Sequence, residues 1–309
     1  MGAMRTVYSI YYTIRSYFIQ EKFAKTQDKE IKQMNDLLSR IFISEKTECF
    51  APLPIEKCKV RRPDLLQRAG LPADEAKTVI MFLIPYYIND GEGNISLYAR
   101  PMDYHAYCEE LFPRLCGKLR ESFGGRFVGF ADKSPIEEAE AACRAGLGVI
   151  GDSYVIINEK YGSFVFLAGI FTDNAPEKFG CDSQGDFPLS YCSHCGACRC
   201  ACPMTIDSLD CLSAVTQKKG DLSEDEKAYI KKYGSAWGCD ICQLVCPLVK
   251  KAIDGGAETP IEFFRENRIK NLTPEVLSEM TDEEFGKRAF SWRGRQTIER
   301  NLKLLFEDD

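Results

Sequence analysis

Two cysteine runs constrain this chain more than any other feature. Residues 192–203 read Cys192-Ser-His-Cys195-Gly-Ala-Cys198-Arg-Cys200-Ala-Cys202-Pro203. Residues 239–247 read Cys239-Asp-Ile-Cys242-Gln-Leu-Val-Cys246-Pro247, and Cys211 lies between the two runs. The first run is C-x2-C-x2-C-x3-C-P with Cys200 as an extra thiol, the spacing of a bacterial ferredoxin run whose fourth cysteine serves the other cluster. A [4Fe–4S] cube needs one thiolate per iron. A tight loop with cysteines at i, i+3 and i+6 wraps three corners, so the fourth ligand comes from elsewhere in the chain. One cluster is therefore expected on Cys192, Cys195, Cys198 and the distant Cys246, and a second on Cys202, Cys239, Cys242 and Cys211. The prolines after Cys202 and Cys246 turn the chain away, because proline cannot continue a helix through its own position. Zinc sites also use C-x2-C pairs, but three close thiols followed by Cys-Pro, twice over, is not their pattern. Disulfides belong to oxidising compartments, and no signal peptide is expected here.

Length and composition are those of a globular protein with room for two domains: 309 residues, 45% hydrophobic and 28% charged. No apolar run approaches the length of a membrane span. Val7 to Ile14 is apolar and aromatic but closely bracketed by Arg5 and Arg15. It reads as an amphipathic helix or extension, so a cytoplasmic protein with reduced thiols and no membrane partner is expected. The net charge of −6 argues against a surface that grips nucleic acid all over. It leaves room for a local basic patch at Lys287, Arg288, Arg293, Arg295, Arg300 and Lys303, either a solvated helix face or a phosphate-binding one.

Along the chain, residues 1–33 are charged and weakly patterned, and Met34 opens the compact part. Thr78 to Ile84 is a continuous apolar run ending at Pro85, as in a strand buried on both faces. Tyr104 to Ser122 reads as a helix that Pro113 should kink or split. Arg126 to Ala131 is a second strand. Ser134-Pro-Ile-Glu137 has the form of a capping box, predicting a helix that stops near Gly146. Tyr154–Asn158 and Ser163–Phe171 read as strands joined by a turn at Tyr161-Gly162. Later helices are signalled by Ser223…Glu226, Thr273-Pro274 and Thr281…Glu284. The fold class expected is α+β. The divisions expected are an N-terminal extension or helix (1–44), a mixed α/β domain (45–178), a two-cluster domain (179–255) and a C-terminal helical segment (256–309).

Clusters handle electrons without saying what receives them. Gly146-x-Gly148-x-x-Gly151 matches the dinucleotide string G-x-G-x-x-G, but it follows a helix and precedes a strand, the wrong context for that fingerprint. These glycines instead allow backbone to approach a flat bound group. The order Tyr98-Ala-Arg100…Asp103-Tyr-His105, Phe130-Ala-Asp132-Lys-Ser-Pro135, Arg144-Ala-Gly-Leu-Gly-Val-Ile-Gly151, Asn158…Tyr161-Gly-Ser-Phe164 and then eight cysteines resembles the epoxyqueuosine reductase family over roughly residues 58–306. The block Gly238-Cys-Asp-x-Cys-Gln-x-Val-Cys-Pro247 belongs to the same resemblance.

That resemblance implies a cobalamin-binding domain of nitroreductase-like form followed by a ferredoxin-like domain with two [4Fe–4S] clusters. It implies reduction of the epoxide of epoxyqueuosine in tRNA, with ferredoxin or flavodoxin as electron donor, and it supports Cys211 as a cluster ligand. Asp132 takes the place of the family's proposed proton donor over the cobalt face. A carboxylic acid can protonate the alkoxide left by ring opening if its surroundings keep it protonated. The corrinoid face is expected to be lined by Tyr104, His105, Arg144, Gly146, Leu147, Gly148, Ile150, Gly151 and Ser153. Asp103-x-His105-x-x-Cys108 departs from the cobalt-ligating D-x-H-x-x-G at its last position, so base-off cobalamin with no histidine ligand is expected. His194, inside a cluster loop, would tune or shield sulfur. Val149 and Asp152 stand where the family usually has Trp and Lys, and the sequence ends at Asp309 without the helical-repeat domain of longer members. Two other readings remain: a related corrinoid reductase acting on a small molecule, as dehalogenases do, and a two-cluster electron carrier.

Overall fold

The computed structural model describes residues 32–181, 192–205 and 211–307. Val7–Ile14 lies outside them. In chain order the elements are α1 (32–44), β1 (Phe50–Pro54), α2 (Pro63–Arg68), β2 (Thr78–Pro85), α3 (Tyr104–Phe123), β3 (Phe127–Ala131), α4 (Glu138–Arg144), β4 (Val149–Ile150), β5 (Ile156–Ile157) and β6 (Val165–Thr172). Then follow α5 (Ala197–Ala201), α6 (Leu212–Gln217), α7 (Glu224–Tyr233), α8 (Ile241–Leu244), α9 (Pro247–Asp254), α10 (Pro274–Glu279), α11 (Asp282–Gly286) and α12 (Arg295–Phe306). None of the helices among the described residues is long and apolar enough to cross a membrane.

The apolar run at β2 is buried along its whole length, as expected of a strand covered on both faces. Because side chains alternate, Ile80, Phe82 and Ile84 join one core with α1 and α3, while Val79, Met81 and Leu83 join another with Ile136, Ala141 and Ala142. The sheet order is β1-β2-β6-β3, antiparallel throughout. β1 carries Pro52 and Pro54 and sits at an edge, where a missing ladder donor is tolerated.

Three expectations need correction. α3 runs unbroken through Pro113. An interior proline costs about 3 kcal/mol, whereas burial of Leu111, Leu115 and Leu119 on both sides of it contributes about 2 kcal/mol each. The helix after Ser134 begins at Glu138 instead, with no side-chain cap. The Pro135 carbonyl accepts the amides of Arg61 and Arg62, and Ile136 bridges Val60, so this stretch is committed to a neighbouring segment. Finally, β5 pairs with β4 inside the glycine-rich stretch, while β6 joins the main sheet. A Cβ on Gly148 would stand 2.7 Å from the Ile157 carbonyl oxygen, and one on Gly151 2.9 Å from Ile157 Cδ1. These two glycines serve their own hairpin.

The capping boxes at Ser223/Glu226 and Thr281/Glu284 form, and Thr273 caps α10. Val249 and Ala252 of α9 belong to the same core as β2 and α3. Trp237, Phe290 and Ile298 centre a further core, where Asn301 donates to the carbonyls of Thr216 (2.7 Å) and Ala236 (2.9 Å). Residues 32–44, left open as extension or helix, place Leu38, Ile41 and Phe42 in the main core. Phe42, fully buried and stacked on Phe50 at 4.5 Å, makes this helix integral. We expect Phe42→Ala to cost about 3–5 kcal/mol in urea unfolding; a loss below about 1 kcal/mol would show that α1 is dispensable.

Candidate active site

Cys246 is the residue before α9, Cys192 and Cys195 lie on the loop leading into α5, and Cys198 is in the first turn of α5. All four line one cavity together with Gly151, Asp152, Ser153 and Leu248. Cys202, Cys211, Cys239 and Cys242 form a neighbouring group within electrostatic reach of one another. Burial, then the charges of Asp240, Cys211 and Cys202, push Cys239 up to about 11. Burial, then Cys239 and Cys202, push Cys242 up to about 12. Cys242 also feels Cys198, so the two groups adjoin. Crowded thiols resist ionising together, and a bound cation reverses that preference. Cys200 is exposed and does not line the cavity.

His194 Nδ1 lies 2.8 Å from Asp152 Oδ1, and Arg199 Nε is 4.0 Å from the other carboxylate oxygen. The acid at the family's Lys position therefore has two nitrogen-bearing partners, His194 and Arg199. Asp152, Cys192 and His194 also offer ligand atoms within 4.8 Å of one another, but Cys192 already belongs to the four-thiol set.

Asp132 follows β3 in a tight turn at φ +63°, a left-handed conformation that non-glycine residues rarely adopt. Its side chain is 58% exposed and faces His105 Nε2 at 3.6 Å. His105 Nδ1 lies 2.7 Å from Asp103, whose carboxylate also caps α3 by accepting the His105 amide. Asp103, then the charge of Asp132, hold the His105 pKa above the ordinary imidazole range against a smaller opposing effect of burial. Tyr104 stacks on Phe166 at 3.9 Å. Burial, then Asp132 and Glu138, keep its hydroxyl protonated far above the usual phenol range.

Sequence reasoning missed Glu138. Burial, then the charge of Asp132, push its carboxyl up to about 8. Its Oε1 is sealed from solvent without a hydrogen-bond partner. The sequence shows two adjacent glutamates here, and only the fold separates them: Glu137 pairs with Arg61 at 2.7 Å and Glu138 turns inward.

Of the other expected cofactor residues, Gly151 and Ser153 line the four-thiol cavity. Leu147 is buried, its carbonyl accepting from Asn158, and Ile150 is half-buried in β4. Gly146 is exposed at φ +75°. Arg144 lies elsewhere, beside a hollow with Lys57 and Cys181, and pairs with Glu140 at 2.9 Å. Much of the C-terminal basic cluster is structural. Arg288, Arg295 and Arg300 donate to the backbone carbonyls of Asn267, Leu277 and Gly220, and Lys287 pairs with Glu283. Arg293 stacks 3.7 Å over the exposed Trp292 ring.

Comparison with known proteins bears on this arrangement. The family model for epoxyqueuosine reductase QueG, DUF1730, matches residues 69–133. The chain is 31% identical to an epoxyqueuosine reductase of Leadbetterella byssophila over 252 residues, covering 76% of this chain and 78% of the relative. It is 29% identical to one of Lactococcus garvieae, covering 75% and 69%. Its fold resembles a crystal structure of epoxyqueuosine reductase with a tRNA-Tyr epoxyqueuosine-modified stem loop, at TM-score 0.70 and 22% identity, over 89% of this chain and 81% of that one. It also resembles the enzyme of Streptococcus thermophilus, at TM-score 0.63 and 21% identity, over 90% and 80%.

With two histidines in the chain, His105 can be followed by NMR. We expect it to titrate above about 6.5 and Asp103→Asn to return it toward that value. The stability linked to the pair is present below about 6.5 and is lost as pH rises through the folded value. An unmoved His105 titration in Asp103→Asn would refute the assignment.

Proposed function

The chain belongs to the epoxyqueuosine reductase family, and on that footing we propose that it is an oxidoreductase that reduces the epoxide of epoxyqueuosine in tRNA to queuosine. A tRNA substrate fits a cytoplasmic location. Ferredoxin or flavodoxin fits as the electron donor. The mixed helix-and-sheet fold fits a nitroreductase-like cobalamin domain joined to a ferredoxin-like one. The observation that carries the reading is the cavity in which Cys246 joins Cys192, Cys195 and Cys198 beside Gly151 and Ser153. Four thiols in one cavity are the donor set of a [4Fe–4S] cluster. Cys202, Cys211, Cys239 and Cys242 supply a second set. The exposed Asp132, the adjacent His105 and the half-buried Tyr104–Phe166 stack suit a flat corrinoid with substrate above it. Both nitrogens of His105 face carboxylates, which suits cobalamin without a histidine ligand.

When bound, the clusters pass single electrons and cobalamin brings two of them to the epoxide carbon. The residues of this chain handle charge and protons. Opening the C–O bond leaves an alkoxide, and Asp132 is placed to give that oxygen a proton. His105, whose pKa Asp103 raises, stands beside Asp132, where arriving negative charge favours its charged form. Tyr104 keeps its proton and presents an apolar face backed by Phe166. Asp152 holds His194 with its ring within 4.8 Å of the Cys192 sulfur, at the edge of the first cysteine set.

The test is anaerobic reconstitution with iron, sulfide and cob(II)alamin, then nucleoside analysis of epoxyqueuosine-containing tRNA. Conversion to queuosine is expected; failure to bind corrinoid or to convert the tRNA would overturn the proposal. Asp132→Asn should keep iron and corrinoid and lose about 100-fold or more in kcat. Cys246→Ala should remove one cluster signal by EPR and spare the other; loss of the set that includes Cys239 and Cys242 instead would refute the ligand division.

A further inference from the structure

We propose that Glu138 is the positioning residue of this site: its carboxyl, sealed under the Asp132–Ser134 turn, holds Asp132 in the left-handed conformation from which it meets the substrate oxygen. The inference rests on the reading of Asp132 as the acid. A left-handed aspartate costs of order 1–3 kcal/mol and persists only when its surroundings enforce it. The exposed contact with His105, at 3.6 Å, cannot do so, because such pairs contribute at most about 1 kcal/mol. The Glu138 carboxyl instead accepts the Asp132 backbone N–H and the Ser134 hydroxyl, spanning the turn from inside. The clamp is itself anchored. Glu138 opens α4, whose Ala141, Ala142 and Cys143 are buried, and the preceding Pro135 carbonyl is fixed by the amides of Arg61 and Arg62.

The clamp is built as a neutral acid. The groups acting on Glu138 are Asp132 and Ser134 on the turn, and Tyr104 and Cys108 on α3 feel its charge in return. Glu137, just before the helix, and Glu140, on it, have their own arginines, Arg61 and Arg144, while His105 lies against Asp132. Burial and Asp132 push the Glu138 carboxyl up to about 8, so it carries its proton at neutral pH. The sign matters. A carboxyl raised in the folded state favours folding only in acid, and the advantage is lost as pH rises from about 4.3 through about 8. Glutamine would accept the same two hydrogen bonds without that loss. A glutamate here is therefore a liability for stability. What it adds is a proton-bearing oxygen, Oε1, sealed and unpartnered next to the acid. Above about 8 the same group becomes a buried anion in a site that must take up electrons and form an alkoxide.

The experiment compares Glu138→Gln and Glu138→Ala with wild type in two readouts. The first needs no cofactor: infrared difference spectra of the protein as purified, followed with pH. Wild type should show a protonated carboxyl stretch that disappears near 8 and is missing from Glu138→Gln. In Asp132→Asn it should disappear at lower pH, since one raising charge is gone. The second readout is turnover by the reconstituted enzyme. Glu138→Ala should lower kcat about tenfold or more with KM, iron and corrinoid content retained, and Glu138→Gln should lose about threefold or less near neutrality. Wild-type kcat should fall as pH rises through about 8, and that fall should be missing in Glu138→Gln. The proposal is overturned if Glu138→Ala keeps wild-type kcat, if both variants lose equally, if the alkaline fall survives in Glu138→Gln, or if no such band titrates. Should Glu138→Ala fail to fold, the Glu138→Gln profile and the infrared titration decide. Wild type that shows the band but does not convert the tRNA would refute the functional reading and leave the clamp standing.

Discussion

Helix α9 packs closely over Gly162, which sits at φ +60°. A Cβ there would stand 3.1 Å from Val249 Cγ1 and 3.5 Å from Ala252 Cβ, and both of those residues are buried in the main core. Cys246 is the residue before this helix, so apolar packing three and six residues later fixes where the thiol stands. The cysteine loops are pinned a second time by Asp240, between Cys239 and Cys242. It accepts from the Ser96 hydroxyl (2.8 Å) and the Leu97 amide (2.7 Å) of the sheet domain. Ser163, next to Gly162, donates to Gln243 at 2.8 Å. Thiols held this way inherit the rigidity of a packed core.

The charges of the site divide by burial. Asp103, Asp132 and His105 form a solvent-reached row in which screening weakens each contact, and the two carboxylates bias His105 toward its charged form. Glu138 lies beneath, where the same unit of charge is far more costly. The strained turn at Asp132 joins the two layers. The pairing of Asp152 with His194 repeats this logic at the iron–sulfur side, tying the β4–β5 hairpin to the first cysteine loop. A chain with Asp in place of the family's Lys thereby retains an ordered contact there.

Local chemistry in the sequence was enough for several elements. Thr78–Pro85 could only be a strand buried on both sides, and Ser223/Glu226 and Thr281/Glu284 could be read as caps because each motif is satisfied by residues three apart. Where the local pattern misled, a distant segment had taken the groups concerned. The Ser134 box failed because Arg61 and Arg62 occupy the Pro135 carbonyl. Pro113 did not split α3 because long-range burial outweighed a local cost. Arg288, Arg295 and Arg300 looked like a basic patch and are bound to carbonyls.

By itself the sequence carried two cysteine sets with cluster spacing and an aspartate at position 132 in the family's motif order, because thiol spacing and motif order are one-dimensional. Tertiary structure supplied the closure that brings Cys246 into one cavity with Cys192, Cys195 and Cys198, the set the spacing predicts, with α9 packed over Gly162. It also decided that, of two adjacent glutamates, Glu137 pairs with arginine at the surface while Glu138 is sealed under the acid turn. Burial sets what a carboxyl can do, and burial is a property of the packed chain that neighbouring residues in sequence do not carry.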